Sequence, residues 1–156
     1  MTRHALLASL LALTACAAPE IATRQVLTLE NWRSYLDTPG CVRPPAAGGN
    51  VQAAFNLAAE VNRTGRCVEF VDPAYSANVF IAALARDVRV ADPGARIFHM
   101  HYSVDQDTGE RSYATNIVLY NHAGLIWCLA VHNARFHDKP DGWTALSLND
   151  IRRDCQ

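Results

Sequence analysis

The sequence has little charge to spare. Of its 156 residues only 19% are charged, and 14 Lys+Arg set against 15 Asp+Glu leave a formal net charge of −1. No run of Lys or Arg interrupts that balance, so the chain lacks the phosphate-neutralising surface on which nucleic-acid binding depends, and nucleic acid is excluded as a partner. No apolar run approaches the roughly 20 residues that a bilayer-spanning helix requires. No CxxC pair is present, which excludes a thioredoxin-type motif and a zinc ribbon. A Gly-rich phosphate loop, a GxSxG elbow, an HExxH pair and a paired-carboxylate pattern are missing too, so no cofactor is implied. No internal repeat is visible. What remains, 50% hydrophobic residues in a chain of this length, is the composition of one globular domain rather than a disordered chain.

The segment with the clearest meaning is the first. Arg3 and His4 form a short basic start, and Ala5 to Leu13 is a nine-residue stretch that is apolar but for Ser9 and free of charge. Such a run is too short to span a bilayer and has the length of a signal-peptide core. Leu13-Thr14-Ala15-Cys16 resembles the lipobox of bacterial lipoproteins. That resemblance implies cleavage before Cys16, acylation of Cys16, and a lipid bilayer as partner. Ala17, where inner-membrane lipoproteins carry an acidic residue, implies the outer membrane, facing the periplasm. The expected organisation is a signal peptide over 1–15, a lipidated linker over 16–25, and a single domain over 26–156.

Four more cysteines follow: Cys41, Cys67, Cys128 and Cys155. An even number in an oxidising compartment points to two disulfides, with three possible connectivities. Cys41–Cys67 would clamp one intervening helix, and Cys128–Cys155 would pin the C-terminal tail.

Caps and periodicity place the elements. Thr28 can cap a short helix carrying Leu29, Trp32 and Leu36, ending before Pro39-Gly40. A Pro/Gly loop over 41–49 leads to Asn50, the cap of a second helix that carries Ala54, Leu57, Ala58 and Val61 at helical spacing and stops at Gly65. Val68, Phe70 and Val71 suggest a brief strand. Asp72-Pro73 reads as a helix start, with Val79, Phe80, Ala83, Leu84 and Val88 on that helix before Asp92-Pro93-Gly94. The period then changes to two. Phe98, Met100, Tyr102 and Val104 alternate with Ile97, His99, His101 and Ser103, the first set expected to face the core. Turns over 105–110 and 121–124 divide three antiparallel strands in meander order. Ser147 and Asp150 form a capping-box pattern for a last helix. The expected class is α+β: helices first, a small three-stranded meander, then a short C-terminal helix, stapled by disulfides.

Several residues carry possible chemistry. His99 and His101 lie two apart on a strand and so project from one face, a candidate surface site; a catalytic zinc would require a third protein ligand from His122, His132 or His137. Asp105, Asp107, Gly109 and Glu110 match a fragment of a calcium loop, but a hairpin turn explains them without a cation. Cys67 is a candidate nucleophile if activated by His99 or His101, against its competing use in a disulfide. The order helix, strand, turn and two further strands over 73–132 resembles the core of transglutaminase-like cysteine enzymes. The places where that family has its Cys, His and Asp fall near Tyr75-Ser76, Thr115-Asn116 and His132-Asn133, so the resemblance implies architecture rather than activity. Trp32, Trp127 and Trp143, with Tyr35, Tyr75, Tyr113 and Tyr120, form either core or a ligand-facing aromatic patch. The residues thus point first to a lipid-anchored envelope protein that binds or assembles with a protein or cell-wall partner without catalysis. The alternative is a periplasmic cysteine hydrolase or transferase.

Overall fold

The computed structural model describes residues 25–71, 73–100, 103–105, 107–112, 121, 124 and 143–155. Within them the class is mixed α and β, as expected, and Cys41 is bonded to Cys67.

The chain enters through Leu27, whose N–H donates to Gly48 O and whose carbonyl accepts from Asn50 N. Thr28 Oγ1 then accepts from Asn31 N while Asn31 Oδ1 accepts from Thr28 N, which closes a turn over Thr28–Asn31. Thr28 is therefore not the helix cap expected: the 3-10 helix runs Trp32–Leu36, its N-cap is Asn31 with no side-chain cap hydrogen bond, and Leu29 lies before it. Trp32 is buried, but Leu29 is not, so only part of the expected apolar face packs.

Helix α1 runs Val51–Thr64. Asn50 Oδ1 accepts from Ala53 N, and Gly65 closes the helix in the left-handed region at φ +67°. Ala54, Leu57, Ala58 and Val61 are buried, so the helical spacing read from the sequence is the packed face.

Strand β1 (Val68–Phe70) is the brief strand expected, and it pairs in parallel with β3 (Val88–Val90). Between them lie β2 (Ala74–Tyr75) and helix α2 (Asn78–Leu84). A parallel pair needs such a crossover. Here the helix expected from Asp72-Pro73 through Val88 is corrected at both ends. Its start is late because Ala74 and Tyr75 pair in parallel with Ile97 and Phe98 of β4 (Ile97–Met100). Its end is early because Asn62 of α1 donates Nδ2–H to Leu84 O and accepts from Arg86 N, capping the last turn from outside and releasing Val88 to β3. Asn78–Ala83 are buried throughout, as befits a helix apolar on all sides. Phe80 of α2 meets Phe55 of α1 edge to face, 5.3 Å between centroids.

The antiparallel meander is not confirmed. Strand β4 is central in a three-stranded sheet ordered β2-β4-β7, parallel to β2 and antiparallel to β7 (Trp143–Leu146), so its neighbours come from before the helix and from the far C-terminus. Beyond it, β5 (Ser103–Val104) and β6 (Arg111–Ser112) do form the hairpin expected around the Asp-Gly turn. The proposed strand residues 113–120 and 125–132 lie outside the described residues.

Helix α3, Leu148–Cys155, closes the described chain. Its capping box is formed: Asp150 N donates to Ser147 Oγ, and Ser147 N to Asp150 Oδ2. Ile151 joins the core that α1 and α2 share with Val68, Phe70, Ile97 and Leu146.

Candidate functional site

A cleft among the described residues is built from parts far apart in sequence. Val42 docks in parallel beside β1, donating N–H to Cys67 O and accepting from Glu69 N. The next rung would need an N–H at position 44. Proline has none, so the ladder ends and the Pro44-Pro45 segment turns away from the strand. The opening left there, about 210 Å³, is lined by Arg43, Pro44, Ala46, Glu69, Phe70, Val71 and Ala74. Asn78 holds its far wall, donating Nδ2–H to the carbonyls of Pro45 and Ala46. Within that lining, Arg43 Nη2 lies 2.6 Å from Glu69 Oε2. Arg43 is well exposed, so this ion pair contributes little stability, on the order of 0–1 kcal/mol, and can open at low cost. The lining thus combines five apolar residues with one charge of each sign. Arg43 and Glu69 are 26 positions apart, and only the Pro44-Pro45 dipeptide hinted that an edge would end there.

The residues singled out from the sequence fall elsewhere. His99 was expected on the exposed face of its strand; instead it is 1% exposed, as is Ile97, and that side faces the core. The alternation runs the other way round: Phe98 is half-buried, its ring stacked on Tyr75 at 4.8 Å. His99 therefore stands opposite Thr144, another buried polar residue, in the β4–β7 ladder, and is corrected from surface site to core position. His101, His122, His132 and His137 lie outside the described residues, as do Cys16 and Cys128. No group of three or more His, Cys, Asp or Glu side chains is placed to hold a metal ion among the described residues.

Cys67 is bonded to Cys41. A sulfur in a disulfide is not a thiolate, so Cys67 is no nucleophile in this state. Cys155 is disulfide-bonded as well, its partner lying outside the described residues.

Asp105, Asp107 and Glu110 serve the hairpin. Asp105 Oδ1 accepts from the backbone N–H of Asp107 and Thr108 and from the Thr108 hydroxyl, while Asp105 N donates to Glu110 O. The Thr108 and Asp107 hydrogen bonds hold the Asp105 carboxyl below its usual range. Gly109 supplies the left-handed residue at φ +73°.

The aromatic residues do not assemble into one patch among the described positions. Trp32 is buried beneath the Arg33 guanidinium, 4.4 Å above its ring. Tyr35 packs partly against the core, and burial raises its phenol above the ordinary value. Tyr75 belongs to the Phe98 stack. Trp127, Tyr113 and Tyr120 lie outside the described residues, and for Trp143 only the strand position is described.

At the place where the transglutaminase-like pattern would put a helix-opening cysteine, Tyr75 ends β2, and Ser76 sits at φ 56°, its N–H donating to Phe98 O. Thr115-Asn116 and His132-Asn133 lie outside the described residues. Compared with known proteins, the chain matches no family model and no curated sequence.

Proposed function

We propose that this chain is a lipid-anchored cell-envelope protein, tethered through acylated Cys16 to the outer membrane on its periplasmic side, where it acts as a non-enzymatic binding or assembly factor. The observation that carries the reading is Leu13-Thr14-Ala15-Cys16 at the end of a nine-residue stretch that is apolar but for Ser9. The cysteine chemistry supports it. Cys41–Cys67 and the bonded Cys155 suit an oxidising compartment and an exported domain. No described helix is long and apolar enough to cross a membrane.

The binding part of the reading rests on the cleft beside β1, whose walls are apolar and whose only charges are the openable Arg43–Glu69 pair. The alternative, a cysteine hydrolase or transferase, loses Cys67 to a disulfide and finds His99 packed in the core.

The test is metabolic labelling of the full chain with an alkyne-bearing palmitate in a Gram-negative host. The acylated form should float with the outer-membrane fraction, and Cys16→Ser should remove the label and leave the chain uncleaved. A mature chain cut after Ala15 or Ala18 and carrying no acyl mass would overturn the anchor. Alkylation of the same preparation without reductant separates the two functions. A reactive thiol on the mature chain that electrophilic probes modify selectively would favour the cysteine enzyme.

A further inference from the structure

Three large apolar residues are exposed among the described residues: Val26 at 47%, Leu29 at 48% and Val71 at 46%. Val71 belongs to the cleft wall. The other two lie within the first five described residues, the end of the domain that faces the linker. Leu27 between them is buried, and its backbone is tied to Gly48 and Asn50. The Asn31 amide donates to Val26 O, so this exposed segment is held in place.

We propose that Val26 and Leu29 are a membrane-resting edge, an apolar contact with the headgroup–acyl boundary of the bilayer that carries the Cys16 lipid. The inference rests on the lipid-anchor reading above. The argument is the length of chain between tether and edge. Ten Cα steps separate Cys16 from Val26, and a fully extended chain covers at most about 3.3–3.6 Å per residue, so the edge begins no more than roughly 36 Å from the bilayer. Within that reach the local concentration of lipid surface is so high that a contact far too weak to recruit a free protein suffices to orient a tethered one. Charge does not drive the contact, because Glu30, Arg33 and Asp37 on residues 25–38 sum to −1, which an anionic lipid surface does not attract. The association is therefore apolar and should persist at about 0.5 M salt, where attraction between exposed charges is screened within a few ångström.

The experiment compares hydrogen exchange of residues 25–38 in the acylated full chain on phosphatidylethanolamine–phosphatidylglycerol vesicles with that of the acylated Val26→Ser/Leu29→Ser variant on the same vesicles. Exchange in this segment should be at least about fivefold slower in the wild type, with α1 peptides unchanged. In a chain that begins at residue 17, without signal peptide or acyl group and off the membrane, the two substitutions should leave exchange unaltered. Equal exchange on vesicles, with both chains acylated and floating, overturns this inference and leaves the anchor standing. A difference that persists without the acyl group also overturns it, because local stability would then be the cause. A purified chain without acyl mass overturns the anchor and this edge together.

Discussion

Replacing Cys41 and Cys67 together by alanine isolates what the disulfide contributes. The bond joins residues 26 apart. Closing a loop of that length removes about 12 cal/mol/K from the unfolded chain, or about 3.5 kcal/mol at 25 °C. The folded state gives little of this back, because the two ends are also held without sulfur. Val42 N donates to Cys67 O at 2.7 Å, and Glu69 N to Val42 O at 2.9 Å. The Arg66 guanidinium gathers the carbonyls of Leu36, Thr38 and Gly40. The double variant should therefore keep its native circular dichroism while losing stability through a less constrained unfolded state. With a urea m-value of about 2 kcal/mol/M, the midpoint should fall by about 1.7 M and m should rise, since more surface is exposed on unfolding. The assay is urea unfolding without reductant, so that the Cys155 bond stays closed, combined with stopped-flow unfolding rates. A midpoint shift below about 0.5 M at unchanged m would refute the unfolded-state argument. So would an unfolding rate that absorbs the whole loss, because the bond would then be holding native contacts together.

Asn50→Ala removes the acceptor of Ala53 N–H and should cost about 1 kcal/mol by thermal or urea unfolding, whereas Asn50→Asp should cost much less. Gly48 sits at φ +75°, and a Cβ there would overlap the Tyr75 carbonyl oxygen. Gly48→Ala should thus destabilise by about 2 kcal/mol or more, beyond the ordinary cost of holding a non-glycine residue in the left-handed region. In α3, hydrogen bonds from the Ser147 hydroxyl and backbone hold the Asp150 carboxyl below its usual 3.8. A carboxyl depressed in the folded state stabilises above its unfolded pKa and loses that contribution as pH falls through the folded one. The stability gap between wild type and Asp150→Asn should accordingly be full at pH 6 and shrink below about pH 4, read by urea midpoints across that range.

Local chemistry was legible; long-range pairing was not. Asn50 with Gly65 and Ser147 with Asp150 act within one turn or one helix, so these residues announce themselves at fixed spacings. The Asp105 turn and the Cys41–Cys67 bond were readable for similar reasons, one from its spacing and one from a short list of partners. Asp72-Pro73 failed as a helix start because Ala74 and Tyr75 found partners in β4, more than twenty residues on. Val88 looked helical until Asn62, on a different helix, ended α2 ahead of it. His99 was assigned to the surface because a polar residue between two apolar ones reads as outward. In a central strand flanked on both edges that rule fails, since a polar side chain can be buried where another strand sets Thr144 opposite it. The cleft was invisible for the same reason, its two charges coming together only after Val42 docks on β1.

The described sheets are too small to account for the fold's rigidity alone. Strands of two to four residues, in pairs and one triplet, leave most rungs at an edge, and isolated two-stranded ribbons are marginal in water. What fixes them is a seam where residues 36–43 meet 66–69. There the Cys41–Cys67 bond, the Val42 bridge, the Arg66 carbonyl clasp and the Arg43–Glu69 pair lie side by side. Helix α1 bridges the two sides of that seam, so it is held at both ends, and α2 packs against a support that cannot drift. The cleft opens at the far end of the same seam, where Pro44 ends the ladder. Among the described residues its strand wall is therefore well supported, whereas the exposed Arg43–Glu69 pair on its lining contributes little stability. In the binding reading proposed above, a wall fixed in advance would leave little conformational entropy to be lost when a partner arrives.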